Sequence, residues 1–133
     1  MTRQELKQAA RAYFDAIDRY DMEAVVSLFT EDCVATMEPP HNVWTGHPGL
    51  REWLSDLFGR SSGMRHADLN VSVDEGKRRV VAEQDVMVAW SDEPRVTLHN
   101  ITAVDFAPDG RIAAVSFWLG HDRESAHPEH AGR

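Results

Sequence analysis

Apolar side chains recur along the start of the chain at alternating steps of four and three: Leu6, Ala10, Tyr13, Ile17 and Tyr20. Residues so spaced share one face of a helix, so the pattern predicts a helix from about residue 3 to 20, with both tyrosines toward a core. Asp21 has the chemistry of an N-cap, because its carboxylate can accept from the unpaired N–H groups of a first turn. It opens a short second helix with the stripe Val25, Val26 and Phe29. The run "CVATM" predicts a short strand, and Pro48 at a first helical position opens a third helix. Leu50, Trp53, Leu54, Leu57 and Phe58 form that helix's buried face, and Gly59 suits its C-terminal cap.

From residue 64 the period changes to two, with Leu69, Val71 and Val73 alternating against Asp68, Asn70 and Ser72 before the turn "DEGK". His66 alternates with the polar set, so only a bulge, or a pocket on that polar face, would make it a site residue. Residues 79 to 90 carry Val80, Ala82, Val86, Val88 and Trp90 on one face; residues 95 to 106 carry Val96, Leu98, Val104 and Phe106. His99 and Asp105 alternate to the outer side. Gln84, Asn100 and Thr102 interrupt the two apolar faces. A buried polar group left unpaired costs roughly 1–3 kcal/mol, so these three call for an internal network, an interface, or a cavity whose water or ligand satisfies them. Residues 112 to 119 are apolar at nearly every position, as in a strand covered on both faces. The predicted fold is α+β: three N-terminal helices packed on a strongly curved, mostly antiparallel sheet, in a single domain spanning 1–120. Residues 121–133, "HDRESAHPEHAGR", predict a polar, mobile tail.

Composition narrows the partners. A chain of 133 residues supports one core. A net charge of −8 without a basic stripe argues against nucleic acid and against anionic membrane surfaces. No apolar run approaches the roughly 18 residues of a spanning helix, and "MTRQELKQAA" lacks the apolar core of a signal peptide, so a soluble, cytoplasmic protein is expected. Cys33, the only cysteine, cannot form an internal disulfide. Seven histidines are present, yet none share a helix face or strand at ligand spacing, and there is no glycine-rich phosphate loop. Neither a metal nor a cofactor is expected. The stretch "MEPPHNVWTG", residues 37 to 46, gathers Glu38, His41 and Trp44 around two prolines. It reads as a rim, with Trp44 and His41 placed to close over a ligand while Pro39 and Pro40 stiffen the approach.

The element order, with "YFDAIDRYDMEAVVSLFTEDCVATMEPP", "WTGHPGLREWLSDLF" and "VDFAPDGRIAAVSFW", resembles the nuclear-transport-factor-2-like superfamily over about residues 4 to 120. The likeness is to its SnoaL-like, ketosteroid-isomerase-like and scytalone-dehydratase-like branches. It implies a sheet curled into a cone whose mouth opens near residues 37 to 46. It is specific for fold and poor for function, because the superfamily holds isomerases, dehydratases, cyclases, epoxide hydrolases and non-catalytic modules. In the ketosteroid-isomerase register, Tyr13 matches the tyrosine that donates to a developing oxyanion. The base position falls on Met37, with Glu38 one residue away, and the acid-donor position on Thr102; a methionine cannot take a proton. In the scytalone-dehydratase register, Tyr20 and Asp21 match the helix corner, His66 the strand histidine, and Asn100 falls within one residue of a polar strand position. That enzyme's second histidine has no match, its strand carrying Gln84 and Trp90 here. The Asp-Arg-Asp set of the epoxide hydrolases cannot be placed on the inner faces.

The expectation is a cofactor-free enzyme doing proton-transfer chemistry, by isomerisation, dehydration or cyclisation, on a small, mostly apolar carbonyl compound. A neutral imidazole can remove a proton alpha to a carbonyl while a phenol polarises that carbonyl. His66 would be the base, Tyr20 or Tyr13 the donor, and Gln84, Asn100 and Thr102 would supply the orientation, with Asn100 counted among the catalytic residues. Glu38, His41, Trp44, Gln84, Trp90, Thr102 and Trp118 would bind substrate. The alternative is a non-catalytic module that binds a small hydrophobic ligand or serves association, motivated by the unmatched histidine and carboxylate. A homodimer through the outer sheet face is expected from residues 112 to 119 and from the resemblance.

Overall fold

The structure, a computed structural model, describes residues 1–120; the tail expected at residues 121–133 lies outside them. Helix α1 spans Arg3–Asp18 and begins with a reciprocal cap: the Thr2 hydroxyl accepts from the Glu5 N–H (3.1 Å) and the Glu5 carboxylate from the Thr2 N–H (2.8 Å). It ends two residues before the apolar period does, because Tyr20 takes a left-handed backbone (φ 56°) through which a right-handed helix cannot continue. Helix α2, Met22–Ser27, is capped by Asp21, whose Oδ1 accepts from the Ala24 N–H at 3.1 Å. Phe29, expected on the α2 stripe, instead begins strand β1, Phe29–Glu38, which is longer than "CVATM".

Part of the stretch read as a rim is itself a strand. Asn42–Thr45 forms β2, a four-residue edge strand antiparallel to β1, too short and too exposed for alternation to register. Helix α3 follows over Gly46–Arg60, with Pro48 at its third position, still in the turn whose N–H groups have no helical acceptor. Gly59 lies inside the last turn, because the chain passes directly into β3, Ser61–Asp74. Strands β4 (Arg79–Trp90), β5 (Val96–Phe106) and β6 (Ile112–Trp118) complete the sheet.

The six strands lie in the order β2-β1-β6-β5-β4-β3, antiparallel except for the parallel β1–β6 pair, in an unclosed, curled sheet. Helix α3 packs on β1 and β2 and α1 on β3 and β4, so the helices cover the concave face. Phe14, Phe29, Leu50, Leu54, Val80 and Val104 are buried between the layers. Cys33 is buried there too, and burial pushes its thiol pKa up, so it packs as a small apolar residue. Among the described residues, no helix is long and apolar enough to cross a membrane.

Candidate functional site

The helices do not fill the concave face completely. They leave a cavity of about 490 Å³, walled by Phe14 and Ile17 of α1, Trp53 and Leu57 of α3, and Val86 and Leu98 of the sheet. That is room for a small organic molecule. Trp44, Trp53 and Phe117 stack in a row along one wall, with ring centroids 5.8 and 5.3 Å apart. Polar groups break the apolar lining at Tyr13, His66, Gln84, Asn100 and Thr102, and further at Asn42, Asp56 and Arg60.

His66 reaches the cavity through a bulge. The β3–β4 register shifts between Ala67 and Asn70, where Asp68 has a left-handed backbone (φ 54°). Beyond that extra residue the parity reverses, so His66 and Met64 share the inner face with Leu69, Val71 and Val73 despite the alternation in the sequence. Asp18, the last residue of α1, holds the histidine by two bonds. Its Oδ2 accepts from the His66 backbone N–H (2.8 Å), and its Oδ1 lies 2.6 Å from Nδ1. A carboxylate only accepts, so Nδ1 carries hydrogen, and in the neutral ring the lone pair is on Nε2. Among the described residues Nε2 has no hydrogen-bond partner. The ring itself rests against Phe14, with centroids 4.9 Å apart.

Sequence reasoning missed Asp18. Its one signal is a broken local rule: a carboxylate in a helix's last turn opposes the helix dipole and needs a reason elsewhere.

The other polar groups are arranged as donors and acceptors. Asn100 is buried, and its Oδ1 accepts from the Gly120 N–H at 2.9 Å, which leaves the Nδ2 hydrogens for the cavity. Gln84, opposite Asn100 across the β4–β5 ladder, donates from Nε2 to Thr102 Oγ1 at 2.9 Å. Tyr13 is buried edge-on against Phe29, with centroids 5.8 Å apart, and its hydroxyl has no partner among the described residues. Burial raises its phenol pKa well above the ordinary value of 10, so it stays a donor.

That shift has a consequence for stability. The folded protein holds the Tyr13 proton more tightly than the unfolded chain does, so the stability it contributes is complete below pH ~10 and drains away as pH rises above it. Tyr13→Phe should therefore flatten the alkaline loss of stability, measured by urea unfolding at pH 9 and pH 11. A slope equal to wild type would contradict the assignment.

Several expected residues lie elsewhere. The Tyr20 hydroxyl bonds Ser61 Oγ at 2.6 Å, and Ser61 Oγ itself donates to the Leu57 carbonyl, so Tyr20 is the donor; its ring stacks on Phe58 outside the cavity lining. The positive φ at Tyr20 turns it away from the face it shares by periodicity with Tyr13. Glu38 follows the inward Met37 on β1 and so faces outward, paired with the exposed His41; neither lines the cavity. Trp118, next to the inward Phe117, pairs with Ile101 on the outer face and is 44% exposed. Trp44 and Trp90 do line the cavity. So do Asp56 and Arg60 of α3, on which the sequence pattern gives no signal. Arg60 Nε donates to Asp56 Oδ2 (3.1 Å), and its guanidinium lies 5.5 Å from the Trp90 ring centre, at the cavity's exposed end. His99 sits on the outer face between Glu83 and Asp85, and Asp105 pairs there with Arg79. Among the described residues, no group of three or more His, Cys, Asp or Glu is placed to hold a metal ion.

Residues 10–115 match the SnoaL-like domain, and the chain belongs to that family, within the nuclear-transport-factor-2-like superfamily. Among solved structures, PrhC from Penicillium brasilianum superposes with a TM-score of 0.80 at 17% identity, covering 90% of this chain and 82% of that one. BvnE pinacolase from Penicillium brevicompactum superposes with a TM-score of 0.78 at 19% identity, covering 88% and 86%. A protein of Xanthomonas campestris pv. campestris, provisionally assigned as a polyketide cyclase, superposes with a TM-score of 0.76 at 23% identity, covering 87% and 90%. No curated protein sequence matches significantly. At such identities the likeness is one of fold, and the α+β architecture expected from the sequence is the one observed.

Proposed function

We propose that this protein is a cofactor-free enzyme that moves a proton on a small, mostly apolar carbonyl compound, as an isomerase, cyclase or dehydratase does. The observation that carries the reading is the Asp18–His66 pair in the wall of an otherwise apolar cavity. Nε2 of His66 takes a proton alpha to the carbonyl. Asp18 keeps the ring in the productive tautomer and stabilises the imidazolium that forms. Asn100 Nδ2 and the Tyr13 hydroxyl donate to the oxygen as enolate charge develops on it, and the apolar walls strengthen those bonds by excluding water. The imidazolium then returns the proton to a carbon or a leaving oxygen. The neighbours named pinacolase and polyketide cyclase are in keeping with such chemistry.

The test is exchange of alpha hydrogens in D2O, followed by proton NMR with 1-tetralone as probe. Protein-dependent loss of the alpha signal that requires His66 is the expected result. Exchange indifferent to His66→Ala would remove the proposal, and binding without exchange would leave a ligand-binding module.

We further propose that two copies associate through the outer sheet face. Trp118 and Ile101 stand side by side there across the β5–β6 ladder, both exposed, with Val43 exposed on the same face. Light scattering at micromolar concentration should return the mass of two 15.0 kDa chains; a single-chain mass would contradict it.

A further inference from the structure

We infer that the cavity selects ligands carrying a hydroxyl besides the carbonyl, with Gln84 Oε1 accepting from that hydroxyl. The inference rests on the carbonyl reading above for the first group and adds a second. Gln84 is 1% exposed and lines the cavity, yet its Oε1 has no hydrogen-bond partner among the described residues. The only comparable atom among them, Thr30 Oγ1, lies outside the cavity lining. A buried acceptor without a donor is destabilising, so one in the wall of a cavity calls for a donor that a bound group can supply.

With Nε2 donating to Thr102 Oγ1, the oxygen is the end of the Gln84 amide left without a partner. Directly across the ladder, the Asn100 amide is held the opposite way round, its oxygen occupied by the Gly120 N–H. Two adjacent amides in the cavity wall thus have complementary ends without a partner, an N–H on Asn100 and a carbonyl oxygen on Gln84. The flanking side chains Val86, Val88, Leu98 and Phe117 are apolar and supply no donor. The charged groups at the cavity's exposed end, Asp56 and Arg60, are paired with each other. A ketone lacking the hydroxyl would leave Oε1 as unpaired as it is now, and a site built to bond a hydroxyl discriminates strongly against the analogue that lacks it. Gln84 is in this reading a specificity-determining residue and takes no part in moving the proton.

Three ketones on one skeleton provide the test: 4-hydroxy-1-tetralone, 4-methoxy-1-tetralone and 1-tetralone, titrated against the fluorescence of the cavity tryptophans Trp44, Trp53 and Trp90. Wild type should bind the hydroxy compound about tenfold more tightly than either of the others, a typical loss for one unmade buried hydrogen bond. Gln84→Met, similar in volume, should bring the three within about twofold and unfold at an equal or higher temperature, having lost an unpaired oxygen. Thr102→Val, which releases the amide to turn, should shrink the discrimination without abolishing it. Failure of the hydroxy compound to bind, equal binding of all three, or discrimination that survives Gln84→Met would overturn the inference. Discrimination without alpha-hydrogen exchange would keep it and discard the catalytic reading; exchange without discrimination would do the reverse.

Discussion

Replacing His66 with alanine is expected to slow alpha-hydrogen exchange by about 10²–10⁴-fold, the range that a positioned general base contributes. The loss should fall on kcat with little change in KM, because in the proposed mechanism Nε2 is engaged in the transition state, whereas binding rests on the apolar walls. Asp18→Asn should fall in the same direction for a different reason. An asparagine can accept from one of the two His66 N–H groups that Asp18 now satisfies, but its own amide hydrogens oppose the other. The ring would lose its fixed tautomer and the imidazolium its counter-charge. If the two residues act as one unit, as proposed, Asp18→Asn combined with His66→Ala should be little worse than His66→Ala alone. Exchange rates for the four proteins decide this, and multiplicative losses would show that the pair does not work together.

Gly120→Ala is the second change with a large expected effect, though Gly120 itself does not line the cavity. A β-carbon there would lie 1.6 Å from the His99 carbonyl oxygen and 2.7 Å from its carbon, both backbone atoms with no freedom to step aside. The segment leaving β6 must move, and with it goes the N–H that holds Asn100 Oδ1. The released amide can then turn its oxygen toward the cavity, presenting an acceptor where the proposed mechanism develops enolate charge. Turnover should fall about 10²-fold, as when one oxyanion donor is removed. Added to Asn100→Ala, the glycine substitution should cost little more activity, because the donor it positions is already gone. Gly120→Ala with wild-type turnover would show that Asn100 does not depend on this contact.

Much of this molecule is legible in one dimension, because burial imposes its period on the chain. The stripe Leu6, Ala10, Tyr13 and Ile17 marks α1, and alternation on β4 and β5 assigns every inner-face residue, including the polar trio Gln84, Asn100 and Thr102. Those three stood out because a polar residue on an apolar face violates the rule the rest of the strand obeys.

Features that depend on a single backbone departure were not legible. One extra residue at Asp68 reverses the parity of β3 and carries His66 inward, and one positive φ at Tyr20 turns that ring outside the cavity while Tyr13 lines it. Neither position is a glycine, so the residue types do not announce the conformation. The pairing of Asp18 with His66 spans 48 residues, and the approach of Gly120 to His99 joins the end of β6 to the middle of β5. The sequence by itself determined which faces are apolar and which strands carry polar interruptions, since side-chain hydrophobicity is a local property repeated at the period of each element. Only the tertiary structure decided which polar groups meet, because that depends on register, bulges and close approaches between distant segments, each settled by the packing of the whole chain.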